Sequence, residues 1–287
     1  MADRVEMAEI RGLNIDKVAK GYAERTYIFK SLCTVSPMDG DSIRWYQRTA
    51  AHLTATSPST ITVAPLATFT NLEVSWTRNV SYPQKYGVEG FISMEDIKSA
   101  DPNVLTTTIE QLTYAVIKAV DADIFTVLTD SLGTGSAGIN TVTTTAPWSA
   151  ASGQNPVEDV LEALYDIETY DYDTSNAVLC VSPLDKKSLL DWLIVTKGNS
   201  LGNFAGEKVL SGELNRFLGL RVIVSNNVTA DYALVMIPQK SATFKQYTPT
   251  TARTIEEVGL GQKIRVYESG ITLLTDPKSV ALISNTQ

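Results

Sequence analysis

The sequence predicts an α+β protein, and three features predict it. One stretch near residue 100 reads as a single long helix, two earlier segments alternate like paired strands, and the region after Pro156 mixes helical and strand patterns. The 287 residues can bury a large core and suggest one or two domains.

The helix comes first because other elements must lie along it. Asp101 suits an N-cap, Pro102 suits the first helical position, and no further Pro or Gly appears until Gly133. Leu105, Ile109, Leu112, Val116, Val120, Ile124 and Val127 recur at three- and four-residue steps as one apolar stripe, backed by Glu110, Lys118, Asp121 and Asp123. At ~1.5 Å per residue, a spine over 102–130 extends roughly 43 Å, well beyond a mean globular helix.

Composition narrows the function. With 44% apolar and 20% charged residues the chain reads as ordered and globular. A net charge of -8 and a pI near 4.8 argue against a nucleic-acid-binding surface, whose phosphate contacts need clustered Lys and Arg. Lys186-Lys187 is the longest basic run. Cys33 and Cys180 stand far apart in no metal or redox spacing, which suggests a reducing interior and neither disulfide scaffold nor zinc site. Acidic residues in the first ten positions do not fit a signal peptide, and no run of 18 apolar residues occurs, so the reading is a soluble, non-exported chain with no membrane partner.

Residues 1–30 read as an arm with a weak helical pattern through Ile10, Leu13, Val18 and Tyr22, broken at Gly12 and Gly21. Ile43–Arg48 and Leu72–Val80 alternate with period two and read as a long hairpin. Between them, Thr49 to Leu72 contains no charged residue in 24 positions, but nine Ser/Thr together with Leu53, Ile61, Val63, Leu66 and Phe69. Such a segment is poorly suited to water. An isolated hairpin is marginal, so this flap is expected to lie on its own domain or on a neighbouring subunit.

Gly87–Ser99 leads into the spine, with Ser93 and Asp96 as a capping arrangement. A second charge-free run, Ser131–Val157, reads as loop with at most a short strand pair. Helices are expected over Pro156–Tyr170 and Pro183–Val195, buried strands at Ala177–Ser182, Leu220–Ser225 and Tyr232–Ile237, and a glycine-rich loop over Gly198–Gly212. Strands return at Lys263–Glu268 and Val280–Ser284, with Pro277 between them.

No constellation points to catalysis. Gly133-Thr-Gly-Ser-Ala-Gly138 satisfies G-x-G-x-x-G, but it follows a helix instead of a strand, so the dipole there has the wrong sign for phosphate. His52 is the one histidine and sits in the uncharged flap. Asp121/Asp123, Glu256/Glu257 and Asp171/Asp173 are conceivable as glycosidase or cation pairs, but none has a calcium-loop pattern, and solvated faces account for them better. Trp45 and Trp76, each near an Arg, read as cross-strand neighbours before they read as a ligand platform.

Three segments, Ile92-Ser-Met-Glu-Asp-Ile-Lys-Ser-Ala-Asp-Pro-Asn-Val-Leu105, Ala115–Phe125 and Leu132–Ile139, together with Phe217-Leu-Gly-Leu-Arg-Val-Ile-Val-Ser-Asn226, fall in a familiar order. With the arm and flap before them, they resemble the major capsid protein of tailed bacteriophages, the Hong Kong phage capsid fold shared with encapsulins and the herpesvirus capsid floor. That resemblance implies an N-terminal arm over 1–34, an extended loop over 35–85, a peripheral domain over 86–153 and 252–287 with the spine helix, and an α+β axial domain over 154–251.

It further implies a non-enzymatic structural protein, without cofactor, that forms an icosahedral shell of pentamers and hexamers around DNA. Assembly is expected in the host cytoplasm, with a portal and separate scaffolding or decoration proteins as partners. An arm beginning at Met1 suggests a separate scaffold or none, and the lack of Lys between Lys30 and Lys85 argues against a flap crosslink through lysine. The expected subunit-contact residues are Arg44, Trp45, Arg48, His52, Ile61, Phe69, Trp76 and Arg78. Two alternatives stand beside this reading: an encapsulin-like compartment, and an acidic hydrolase using paired carboxylates.

Overall fold

The computed structural model describes residues 27–50, 53, 62–69, 77–95, 103–130, 138–150, 152–196 and 214–287. In chain order its strands are β1 (Thr34–Pro37), β2 (Ile43–Gln47), β3 (Thr77–Ser81), β4 (Gln84–Ser93), β5 (Asn140–Thr143), β6 (Val178–Val181), β7 (Arg216–Phe217), β8 (Leu220–Val224), β9 (Tyr232–Met236), β10 (Thr243–Glu257), β11 (Gly261–Leu273) and β12 (Val280–Ser284). Among the described residues the main helices of this α+β fold are α1 (Phe29–Leu32), α2 (Asn103–Leu128), α3 (Pro156–Glu168) and α4 (Pro183–Asp191), the last running into a π turn over Trp192–Thr196.

The described residues form two compact units. One holds α1, β1, β4, β10, β11 and the long helix as far as Ile124; the other holds α3, α4, β5 to β9, β12 and most of the β2–β3 pair.

In the first unit the sheet runs β1-β10-β11-β4, and β11 pairs antiparallel with β4 from Gly261↔Ser93 to Gly270↔Gln84. Alternation decides the faces: Ile264, Val266 and Glu268 point inward, while Lys263, Arg265 and Tyr267 do not. Glycines permit two close approaches. A Cβ on Gly90 would lie 2.9 Å from the Leu112 Cδ1 of the long helix, and one on Gly261 would lie 2.1 Å from the Ile92 carbonyl oxygen.

β4 and β10 are strands the sequence reading does not contain. Two glycines break the β4 pattern, and Pro249 lies inside β10, where a missing backbone donor argues against a strand.

In the second unit the sheet order is β5-β12-β9-β6-β8-β7. β12 pairs parallel with β5 and antiparallel with β9, and β6 pairs parallel with β8. Val280–Ser284, expected beside the spine helix, thus completes the sheet of this unit. Val160, Ala163 and Ile167 of α3 pack with Leu189 and Trp192 against Leu179, Val181, Val235 and Ile283. Each such fully buried aliphatic side chain contributes about 1.5–3 kcal/mol. Among its described residues the charge-free run after the long helix contains one strand, β5, and is pinned by Trp148, whose backbone N–H donates to Thr286 O at 2.9 Å and whose Nε1 donates to Asp159 Oδ2 at 2.8 Å.

The long helix matches its expected span within two residues at each end. Its buried face carries Ile109, Thr113, Val116, Ile117, Val120, Asp121, Ile124, Phe125 and Leu128. Val127, assigned to the stripe, is half-buried, and Leu128 takes that place. Asp121, assigned to the solvated side, is buried, because its carboxylate accepts backbone N–H groups of α1. Asp101, Pro102 and Asp96 lie outside the described residues, as does most of the glycine run over 133–138.

Candidate functional site

Two parts of the chain carry candidate residues, each within its own unit: the hairpin with its flap, and the base of the arm. β2 and β3 pair as a two-stranded sheet. Along β2 the period of two separates Ile43, Trp45 and Gln47, which turn inward, from the exposed Arg44 and Tyr46. Arg44 and Trp45 therefore serve opposite faces. Arg78 on β3 is exposed.

Gln47 is the inward anchor: its Nε2 donates to Leu274 O at 3.2 Å, and its Oε1 accepts from Asn79 Nδ2 at 3.5 Å. Arg48 follows, its backbone N–H donating to Thr275 O at 3.0 Å and its Nε standing 3.8 Å from Asp276 Oδ1. Burial raises the pKa of the nearby Tyr172 hydroxyl, and the Arg48 charge opposes that rise. Arg48, expected at a subunit contact, thus ties the hairpin to its own unit. The Asp276 carboxyl is raised above the ordinary range by burial, against the pull of Arg48 and Lys240.

The described part of the flap runs from Thr62 to Phe69. Ala67 N donates to Ala64 O at 3.0 Å, closing a turn with Pro65 and Leu66 at its corners. Leu66 adopts φ 69°, a left-handed conformation that favours glycine, and its side chain is fully exposed. Phe69 is 88% exposed. Two large apolar side chains thus face solvent on a turn whose backbone would be eased by a glycine. His52, Ile61 and Trp76 lie outside the described residues.

The base of the arm is where sequence reasoning missed residues. Asp121 Oδ2 accepts from Ile28 N at 2.8 Å and its Oδ1 from Lys30 N at 3.1 Å, so a carboxylate of the long helix caps the first turn of α1. Burial raises its pKa, while those backbone donors and the Lys30 charge oppose the rise. Glu268 of β11 is fully buried and fully satisfied: Oε1 pairs with Lys30 Nζ and accepts from Gln246 Nε2 at 3.2 Å, and Oε2 accepts from the Tyr27 hydroxyl and from Thr250 Oγ1 at 3.0 Å. Lys30 Nζ also lies 4.4 Å from the Tyr27 ring centroid and 5.0 Å from that of Phe244. Burial, and then Glu268, push the Tyr27 hydroxyl well above its ordinary pKa; burial, and then Asp121, push the Cys33 thiol up to about 12.

The signals for these residues were present. Asp121 lies four residues after Ile117 and four before Phe125, on the apolar parity of the helix, and Glu268 shares the parity of Ile264 and Val266. An acid on a buried face needs donors, and the arm supplies them.

The other acid pairs do not converge. Asp123 neighbours Tyr86, Glu257 pairs with Lys263, and Asp173 accepts from Ser175 N at 2.9 Å. Among the described residues no three His, Cys, Asp or Glu side chains group as metal ligands, and no helix is long and apolar enough to cross a membrane.

Known proteins show what the chain as a whole is similar to. No curated protein is similar in sequence. In fold the chain is similar to the capsid of cyanophage P-SCSP1u, with TM-score 0.67 and 13% identity over 90% of this chain and 88% of that one. It is similar to Mycobacterium phage Che8 at TM-score 0.63 and 15% identity, covering 91% and 92%. It is also similar to the virus-like particle of Pyrococcus furiosus at TM-score 0.61 and 12% identity, covering 96% and 99%. A family model described as phage capsid protein matches residues 79–283. That match takes in well over half of the chain, which therefore belongs to the phage capsid protein family and is a structural, shell-forming major capsid protein of the tailed-phage fold.

Proposed function

We propose that this capsid subunit closes into an icosahedral shell of pentamers and hexamers around DNA, without enzymatic activity of its own. The display of Leu66 and Phe69 on the flap carries the reading, because the described residues of a lone subunit give those side chains no shelter and a neighbouring copy can. Arg44 and Arg78 on the exposed hairpin, with Trp45, the flap and the segment of His52, Ile61 and Trp76, form the contact surface; Arg48 joins them while bracing the hairpin through Asp276.

In this reading the extended loop is 35–85, the unit with the long helix is the peripheral part, and the unit with the six-stranded sheet is the axial part. The net charge of -8 suits a lining that lets packed DNA slide without adhering, so no sequence-specific DNA contact is needed. Portal and separate scaffolding or decoration proteins complete assembly in the host cytoplasm.

Negative-stain microscopy and sedimentation of the purified protein test this. Closed particles support it. A compact subunit that stays single at high concentration, its flap folded on its own body, would sink it.

One observation favours a second reading, a compartment enclosing cargo proteins: the likeness to the Pyrococcus furiosus virus-like particle spans nearly the whole of both chains. Particles isolated from the native host that contain a co-purifying enzyme and no DNA would decide for it.

A further inference from the structure

The charge of the chain is concentrated in one place. Pro156 to Asp185 holds eight Asp and Glu and no Lys or Arg, which leaves 24 acids against 24 bases elsewhere. Most of that segment is α3 and the turn after it. One face of the helix buries Val160, Ala163 and Ile167; the other presents Glu158, Leu161, Glu162, Tyr165 and Glu168 at three- and four-residue steps. Leu161 is 50% exposed and Tyr165 68%, so this face is an apolar strip bordered by carboxylates.

A complementary surface lies at the other end of the same sheet. α3 packs on β5 and β12, and the sheet ends on the opposite side with β8 and the edge strand β7. There Arg216 and Arg221 are direct cross-strand partners, both exposed. Like charges placed opposite each other on paired strands are destabilising, and no ion pair among the described residues relieves them. The turn between these strands holds Leu218 at φ 51° and Gly219 at φ 85°, with the Leu218 side chain 42% exposed. The edge thus reads Arg, Leu, Arg where the helix reads Glu, Leu/Tyr, Glu.

Standing at opposite ends of one sheet, the two surfaces cannot meet within one subunit. Copies arranged head to tail around a ring bring them together at every step. We propose that the acidic face of α3 receives the β7–β8 edge of the next copy, Glu158 and Glu162 facing Arg216 and Arg221 while Leu161 and Tyr165 cover Leu218. This inference rests on the shell reading and names the ring contact within it. The charges give the contact direction and register, since the reversed pairing sets acid on acid and base on base. The apolar centre supplies the area removed from water.

Charge reversal tests it. Glu162→Lys and Arg221→Glu, each alone, leave the subunit with wild-type circular dichroism and unfolding midpoint, yet lose most particles in sedimentation and negative stain. Glu162→Lys combined with Arg221→Glu restores them. In a second measurement, Glu162→Cys subunits mixed with Arg221→Cys subunits form a disulfide-linked dimer on oxidation; native Cys33 and Cys180 are buried and do not compete. Single reversals that assemble at wild-type yield, a double reversal no better than the singles, or a mixture without the linked dimer would each overturn the contact while wild-type particles leave the shell reading standing. Absence of wild-type particles would overturn both.

Discussion

The Oδ1 of Asp121, in the middle of the long helix, accepts the backbone N–H of Lys30 at 3.1 Å across 91 positions of sequence. With the Ile28 N–H on its other oxygen, this carboxylate ties the start of α1 to the long helix.

Removing that acceptor strands backbone donors against the buried face of the long helix. Asp121→Ala is expected to destabilise the unassembled subunit by roughly 2–3 kcal/mol, and Asp121→Asn, which keeps one oxygen, by less. Urea unfolding gives both values, and limited proteolysis should cut Asp121→Ala faster near Tyr27 to Lys30. Equal stability in all three proteins would remove the capping role.

Lys30 and Glu268 form a pair that is worse broken than absent. Lys30→Met leaves a buried carboxylate with neutral donors alone and is expected to cost about 3–5 kcal/mol. Adding Glu268→Gln to that variant should recover part of the loss, because the remaining side chain carries no charge and still accepts from Tyr27 and Thr250. A double-mutant cycle by denaturation measures the coupling; effects that add within about 0.5 kcal/mol would show the two residues to be independent.

Asp185 bears on pH. It is fully buried, its Oδ2 accepts from Ser182 Oγ at 2.8 Å and from Gln287 Nε2 at 3.3 Å, and burial raises its pKa above the ordinary 3.8 despite those bonds. Between 3.8 and the raised value the folded chain binds the proton that the unfolded chain has released. Its contribution to stability is therefore complete below the unfolded pKa and is lost as pH rises through the folded one. Asp185→Asn should flatten the decline of stability with rising pH over that window. A wild-type and variant difference that does not change with pH would contradict this.

Leu66 separates stability from assembly. Its left-handed backbone costs a non-glycine residue about 1 kcal/mol, so Leu66→Gly should leave the subunit as stable or slightly more so. The same change removes an exposed apolar side chain from the flap, and particle yield should fall. Unchanged yield in sedimentation would take Leu66 out of the contact surface.

Periodicity carried much of the architecture into view. The three- and four-residue spacing of Ile109, Val116, Val120 and Ile124 sets the long helix, and period-two alternation sets β2 and β11. Pro249 inside β10 and the paired glycines of β4 hid two strands, because local propensity there opposes the state that cross-strand pairing imposes.

The α+β class, the spine and the uncharged flap were therefore determined by the sequence alone, since each depends on residues close together in the chain. Only the tertiary structure decided the partners of Asp121 and Glu268, the bracing of Arg48 by Asp276, and the place of Val280–Ser284 between β5 and β9. The reason is physical: the ties of Lys30 to Asp121 and to Glu268 and of Arg48 to Asp276 join positions 91 to 238 residues apart, and a buried charge or an unpaired strand states a need for a partner without naming it.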